Sequence, residues 1–209
     1  DVRNIIPSIG YAHDAGMISQ CSLCITFSPV HTVEYYVNMA QQLIEAGADE
    51  ICIKDMAGIG RPVSLGKIVA GIKKIKNIPI QYHSHAGPGF NMASILEVCQ
   101  AGCDYIDVGP KNRLMNSLLI APGLPGGMMG SLMADLETNL ESINKYKAKR
   151  NLPFMTQDEL LIKLFNEVAY VWPRVGYPPL VTPFSQYVKN LAMMNVMAME
   201  KGKERWGMI

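Results

Sequence analysis

The first half of the chain alternates helical and extended hydrophobic patterns at a regular spacing. Three stretches carry apolar residues on one helical face and four short apolar runs separate them: helices at residues 33–46, 64–76 and 91–100, and strands at 21–26, 50–53, 78–82 and 105–108. Such alternation is typical of βα units, whose parallel strands have both faces covered. The predicted fold class is therefore α/β with a parallel sheet.

The number of units restricts the architecture further. The segments that join a helix to the next strand also share a sequence motif, Glu45-Ala-Gly-Ala-Asp49 in one unit and Gln100-Ala-Gly-Cys-Asp104 in another. Four βα units make half of an eight-stranded barrel, and a half-barrel would leave its outer strands without partners. The sequence therefore predicts either a small open sheet or a piece of a larger fold.

The second half of the chain has a helical character. Helical patterns cover about residues 129–150 and 156–170, and a Pro-rich turn at residues 176–183 precedes a Met-rich terminal helix. We expect two domains: an α/β unit at residues 1–109 and a helical extension at residues 110–209.

Composition excludes several functions. Nineteen basic and 18 acidic residues leave a formal charge of +1, so nucleic acid is not an expected partner. The longest apolar run, Leu191 to Met199, is far shorter than the roughly 20 residues that span a bilayer, and we expect no membrane insertion. Five cysteines, an odd number, favour reduced thiols in a cytoplasmic protein. Because the chain begins at Asp1, we expect that a preceding segment has been removed.

The residues that could carry chemistry follow the predicted strands. They are Thr26, Lys54-Asp55, His83-Ser-His85 and Asp107, and active sites of parallel α/β folds collect at these carboxyl ends. Because His83 and His85 are two apart on a strand, their side chains point the same way and can bind one zinc, manganese or cobalt ion. On spacing alone, a pair of polar residues lining a strand end is the more common interpretation.

Lys54 ends an apolar strand, where burying a lysine costs free energy, so a lysine at this position indicates a functional role. A buried lysine amine becomes nucleophilic and can add CO2 as a carbamate, an anionic oxygen ligand beside the two histidines. The alternative is an ordinary surface pair between Lys54 and Asp55.

The remaining cysteines and histidines give weaker signals. Cys21-Ser-Leu-Cys24 has the CxxC form, and Cys99 and Cys103 could complete a four-thiolate zinc site. In a strand the first two sulfurs would point to opposite faces, so plain buried thiols are the expectation. His31 fits a helix entry, and His13 has no evident partner.

Several motifs occur along nearly the whole chain: Ser28-Pro-Val-His-Thr32, Ile53-Lys-Asp-Met-Ala-Gly58, His83-Ser-His-Ala86, Pro125-Gly-Gly-Met128 and Gly176-Tyr-Pro-Pro-Leu-Val-Thr-Pro183 with Ser185-Gln186. As an ordered set they resemble the carboxyltransferase domain of biotin-dependent enzymes. That family includes pyruvate carboxylase, whether as a domain or as a separate subunit, the oxaloacetate decarboxylase alpha subunit and transcarboxylase. The resemblance implies a TIM barrel, of which this chain holds the second half, followed by a helical extension.

The resemblance also implies an enzyme of the lyase or ligase type with a metal centre. A divalent metal (zinc, manganese or cobalt) would be held by carbamylated Lys54, His83 and His85, together with an aspartate. Carboxybiotin would release CO2 for capture by the enolate of pyruvate, giving oxaloacetate, or the reverse would occur. The implied partners are pyruvate or oxaloacetate, a biotin carboxyl carrier domain or subunit, a biotin carboxylase subunit and a second copy in a homodimer.

The chain departs from the family pattern at several positions. The Arg-Asp-Ala-His-Gln-like motif with the aspartate ligand is absent, and Thr26, Thr32 and Thr182 do not match the catalytic threonine. The biotin-attachment motif is also absent, because Glu200 stands where its lysine is required. We therefore assign no catalytic residue, and we expect strands one to four and a block near Gly109 to be missing.

Two alternatives stay open. A metal-dependent aldol-type lyase or acyl-CoA synthase of the same barrel would share His-x-His but lack a lysine at position 54. A truncated, inactive chain would serve as an assembly piece, with its open sheet edge covered by another chain.

Overall fold

The computed structural model describes residues 2–85, 89–109, 126–181 and 183–205. After a 3-10 helix at Val2–Asn4 the elements are, in chain order, α1 (Ile6–Asp14), β1 (Gln20–Cys24), α2 (Val33–Glu45), β2 (Glu50–Asp55), α3 (Pro62–Ile75), β3 (Ile80–His85), α4 (Asn91–Gln100), β4 (Tyr105–Gly109), α5 (Gly126–Ala148), α6 (Gln157–Arg174) and α7 (Phe184–Glu200). They fall into two compact units, Asp1–Gly123 and Leu124–Ile209.

The first unit contains the predicted parallel sheet. Its four strands lie in the order β1-β2-β3-β4, each paired in parallel with the next along the chain. The strand predicted at residues 78–82 begins later and extends through His85, so that both histidines lie within β3.

One face of this sheet packs against the helices. Leu23, Ile53 and Tyr82 are register partners on β1, β2 and β3, and all three are buried. They belong to one hydrophobic core with the apolar sides of α2 and α3. Because side chains alternate along a strand, the next residue on each strand points to the other face, away from these helices.

The repeated junction motif has a structural role at the amino ends of the strands. Asp49, just before β2, accepts a hydrogen bond from the backbone N–H of Ser19 at 2.7 Å. Asp104, just before β4, accepts one from the backbone N–H of Ile80 at 2.7 Å. Each carboxylate thus ties the start of its own strand to the start of the preceding one, which explains why the sequence repeats there.

Helix α1 has no counterpart among the predicted elements. Ile9 is the buried residue of this nine-residue helix. A helix that buries so little lacks the apolar stripe on which sequence-based recognition depends.

The second unit is helical, as predicted. Helices α5, α6 and α7 share a hydrophobic core of buried Leu, Val and Ile side chains. Helix α6 begins with a capping box, in which Thr156 and Glu159 satisfy each other's backbone N–H groups. It continues past the predicted end at residue 170 to Arg174.

The predicted domain boundary at residues 109 and 110 adjoins residues 110–125, which lie outside the described part of the chain. Within the described part, none of the helices is both long and apolar enough to cross a membrane.

Candidate functional site

Four side chains form a row across the sheet on the face that the helices leave uncovered. Cys24 on β1 is the register partner of Lys54 on β2, which pairs with His83 on β3, which pairs with Asp107 on β4. His85 lies two residues after His83 on β3, on the same face, and is the register partner of Gly109. The structure therefore brings together Lys54, His83 and His85, the three predicted metal ligands.

The two histidine rings converge at one point. Their Nε2 atoms are 3.2 Å apart. Zinc–imidazole bonds of about 2.0–2.1 Å at a tetrahedral angle separate two ligand nitrogens by roughly 3.3 Å. The rings are thus close to the geometry that a shared metal ion requires.

The surroundings of His85 favour the neutral form of its imidazole ring. Its pKa is lowered chiefly by burial, with further lowering by His83 and Lys54, while Asp107 acts in the opposite direction. A neutral imidazole is the form that binds a metal.

Asp107 contacts His83 on the other edge of the ring. Its Oδ2 atom lies 2.8 Å from His83 Nδ1. The sequence identified Asp107 as a strand-end candidate but assigned it no role, because a contact between residues 24 positions apart depends on strand register.

Three of the strand-end candidates lie away from this row. Asp55 and Ser84 are buried, 1% and 0% exposed, and alternate with Lys54 and His83 onto the helix-covered face. Thr26 is also buried, and its backbone N–H donates to Tyr36 Oη at 2.7 Å. The alternative of a surface pair between Lys54 and Asp55 is therefore wrong, since Asp55 is neither exposed nor on the same face.

The cysteines do not assemble a four-thiolate site. All five thiols are free, and Cys21 lies on the core face while Cys24 lies in the polar row, as the strand period predicts. The expectation of buried thiols fails for Cys99, which is exposed on α4.

His13 does have partners, contrary to the sequence-based expectation. Its Nε2 atom lies 2.8 Å from Asp49 Oδ2 and 3.2 Å from Ser19 Oγ. The cluster lies at the amino ends of the strands, opposite to the candidate site, and it reinforces the Asp49 junction. His31, by contrast, is at a helix entry as predicted, 2.7 Å from Ser28 Oγ and just before α2.

A cation–π cluster of one arginine and two phenylalanines, at the carboxyl edge of the sheet, was not predicted. The Arg61 guanidinium lies 4.7 Å from the ring centre of Phe27 and 5.2 Å from that of Phe90. The three residues occupy the loops that follow β1, β2 and β3. Their only sequence signal is an arginine in a strand-end loop, because the phenyl rings are distant in sequence.

The donor set is consistent with a metal centre that includes Lys54. Among the described residues, no three His, Cys, Asp or Glu side chains come close enough together to hold a metal ion. Lysine is not one of these four residue types, and Lys54 lies on the strand beside His83. Carbamylation of Lys54 would supply an oxygen ligand from the adjacent strand.

Comparison with known proteins agrees with the predicted resemblance. The HMGL-like family matches residues 2–109. The chain is 33% identical to a pyruvate carboxylase subunit of Methanocaldococcus jannaschii over 242 aligned residues, covering 97% of this chain and 42% of that protein. It is 30% identical to the methylmalonyl-CoA carboxyltransferase 5S subunit of Propionibacterium freudenreichii, covering 94% of this chain and 46% of that protein.

The fold is shared with a solved carboxyltransferase domain. The carboxyl transferase domain of Rhizobium etli pyruvate carboxylase superimposes with a TM-score of 0.75 at 19% identity, covering 94% of this chain and 40% of that one. The predicted fold, part of a TIM-barrel carboxyltransferase followed by helices, is thereby confirmed. The chain spans less than half the length of these relatives. It belongs to the HMGL-like family, with carboxyltransferases of the pyruvate carboxylase and transcarboxylase type among its relatives.

Proposed function

We propose that this chain contributes to a biotin-dependent carboxyltransferase that moves a carboxyl group between carboxybiotin and pyruvate or oxaloacetate. The observation that carries the proposal is the convergence of the His83 and His85 Nε2 atoms, 3.2 Å apart, beside Lys54 on the neighbouring strand. Relatives named for pyruvate carboxylation and carboxyl transfer support it. Solved structures of the Rhizobium etli domain include one with pyruvate and one with oxamate and biotin.

In this proposal the three side chains hold one divalent metal ion, zinc, manganese or cobalt. A bound divalent ion would act as a Lewis acid toward the keto acid. Lys54 takes part as a carbamate: its ammonium group first loses a proton, and the neutral amine then adds to CO2 and forms an N–C bond. Loss of a second proton from the nitrogen leaves an anionic oxygen ligand. His85 takes part as a neutral imidazole, which its lowered pKa favours.

The biotin carrier is a proposed partner, since the biotin would be carried on another domain or subunit. The same resemblance supports a homodimer. We assign the proton transfer between biotin and pyruvate to no residue of this chain.

The test measures metal content and biotin-dependent oxaloacetate decarboxylation in the complete protein that contains this chain. We expect K54A and H85A to lose bound metal and activity together, while the folded protein is retained. H13A is the matched control, because His13 lies at the opposite end of the strands and should affect neither.

Metal retained in both K54A and H85A would contradict the proposed site. Turnover of an acyl-CoA substrate without biotin would favour the aldol-type alternative. A wild-type protein with neither metal nor biotin-dependent activity would favour the assembly-piece alternative.

A further inference from the structure

The hydrogen bond between His83 and Asp107 determines which ring nitrogen is left free. The two atoms, His83 Nδ1 and Asp107 Oδ2, are 2.8 Å apart, and the residues are register partners on β3 and β4. A carboxylate has no proton to donate, so the ring nitrogen must be the donor. His83 therefore carries its proton on Nδ1 in this arrangement.

A neutral imidazole has one N–H group, and placing it on Nδ1 leaves a lone pair on Nε2. That lone pair faces His85 Nε2 at 3.2 Å. The same contact fixes the rotation of the ring, because turning it over would put the carbon Cδ2 in the place of Nδ1 and lose the hydrogen bond to Asp107. Asp107 thus controls both the tautomer and the direction of His83.

We propose that Asp107 is a positioning residue, which holds His83 with its Nε2 lone pair directed at the point shared with His85. This inference rests on the proposed metal site at Lys54, His83 and His85. Outer carboxylates that accept from the second nitrogen of a ligand histidine orient the ring and make it a stronger donor.

The geometry separates this role from that of a direct ligand. Nδ1 and Nε2 lie on different edges of the imidazole ring, so a carboxylate that contacts Nδ1 is on the far side from a metal at Nε2. The side chain of Asp107 is also 58% exposed, against 22% for His83. Asp107 on β4 lies on one side of His83, and Lys54 on β2 lies on the other.

The first experiment reads the tautomer directly in the metal-free protein. Long-range 1H–15N correlation spectra show which ring nitrogen carries the proton, and the loss of signals in H83Q identifies His83 among the histidines, of which this chain has four. We expect the Nδ1–H form in the wild-type protein and a mixture of tautomers in D107A. An Nε2–H tautomer in the wild-type protein would overturn the inference without reference to any metal.

The second experiment measures Co²⁺ affinity at fixed bicarbonate through the visible absorption of the bound ion. We expect D107A to bind about 10- to 100-fold more weakly, the range typical of lost outer carboxylates. D107N should fall between D107A and the wild type, because its amide oxygen still accepts from Nδ1 but lacks the charge. D104N is the matched control: Asp104 pairs with Lys73 and the Ile80 backbone, so its loss should affect stability and leave Co²⁺ affinity unchanged.

The outcomes distinguish the inference from the proposed function. Equal Co²⁺ affinity of D107A and the wild type would overturn the positioning role and leave the metal site standing. Loss of binding in D107N as complete as in H85A would make Asp107 a direct ligand and would also overturn it. A wild-type protein that binds no Co²⁺ would overturn the metal site and the inference together.

Discussion

The carboxylate of Asp55 closes the loop behind the candidate site by accepting a hydrogen bond from the backbone N–H of Gly60 at 2.8 Å. Its other oxygen accepts from the N–H of Ile59 at 3.1 Å. Asp55 directly follows Lys54 in β2, so one strand end supplies a candidate metal ligand on one face and a loop anchor on the other. These two hydrogen bonds account for the burial of a carboxylate that lies outside the proposed metal site.

Gly60 leaves no room for a side chain. A Cβ atom there would lie 2.6 Å from Leu65 Cδ1 and 2.8 Å from Asp55 Oδ2, and both neighbours are buried. We expect G60A to lower the free energy of unfolding by about 1–3 kcal/mol, as overpacking does. Thermal and urea unfolding followed by circular dichroism would measure the change.

G10A serves as its control. A Cβ atom at Gly10 meets nothing within 4 Å, and the residue lies in α1. The same glycine-to-alanine substitution at this position should therefore raise the free energy of unfolding by about 0.5–1 kcal/mol, because alanine has the higher helix propensity. Equal effects of G60A and G10A on the free energy of unfolding would show that Leu65 and Asp55 leave room for a Cβ atom at position 60.

Carbamylation of Lys54 predicts that bicarbonate strengthens metal binding. We expect Co²⁺ affinity of the wild-type protein to rise with added bicarbonate, because CO2 converts the amine to an anionic ligand. K54R should be insensitive to bicarbonate, whereas K74R, which alters an exposed lysine of α3, should behave as the wild type. A 13C NMR signal from labelled bicarbonate, present in K74R and absent in K54R, would identify the carbamate; its presence in K54R would contradict the assignment.

Asp49 predicts a defined acid dependence of stability. Hydrogen bonds from the Ser19 backbone, from His13 and from the Ser19 hydroxyl lower its pKa from 3.8 to about 2. The folded chain therefore binds this proton more weakly than the unfolded chain, and the resulting stability is present above pH 3.8 and lost as the pH falls through 2. We expect D49N to be less stable than the wild type near pH 6, with the difference shrinking steadily below pH 4.

Urea midpoints of both proteins across this pH range would test the prediction. A difference between D49N and the wild type that stays constant from pH 6 to pH 2 would show that the charge of Asp49 contributes nothing to folding.

The cysteines should react with alkylating reagents in a fixed order. Burial raises the pKa of the Cys103 thiol to about 11, and its Sγ atom donates to the carbonyl of Ile80. At pH 8 about one Cys103 thiol in a thousand is ionised, and the thiolate is the reactive form. We expect exposed Cys99 to be labelled by iodoacetamide long before Cys103.

Peptide mass spectrometry after short labelling pulses would give the order, and labelling in urea provides the control, since all five cysteines should then react alike. Equally fast labelling of Cys99 and Cys103 in the folded protein would contradict the burial of Cys103.

The capping box of α6 predicts a stability change in the helical unit. Thr156 Oγ1 accepts from the Glu159 N–H at 3.2 Å, and the Glu159 carboxylate accepts from the Thr156 N–H at 2.8 Å. We expect T156A to lower the free energy of unfolding by about 1 kcal/mol and T156S to leave it nearly unchanged. An unfolding curve of T156A that superimposes on that of T156S would exclude a contribution from the cap.

The local elements of the α/β unit were largely predictable, because hydrophobic periodicity is a property of neighbouring residues. The spacings that predicted α2 and α4 agree with the structure to within a residue. The shared direction of His83 and His85 also followed from the strand period alone. Helix α1 escaped prediction because it lacks an apolar stripe.

The amino-acid sequence by itself determined the alternating fold, the family and the residue types available at the strand ends. Only the tertiary structure decided which of them meet. Strand register places Lys54, His83 and Asp107 in one row, and helix packing on the other face buries Asp55. Register and burial arise from pairing between segments far apart in the chain, as in the contact between His13 and Asp49, and a local pattern carries no information about such pairing.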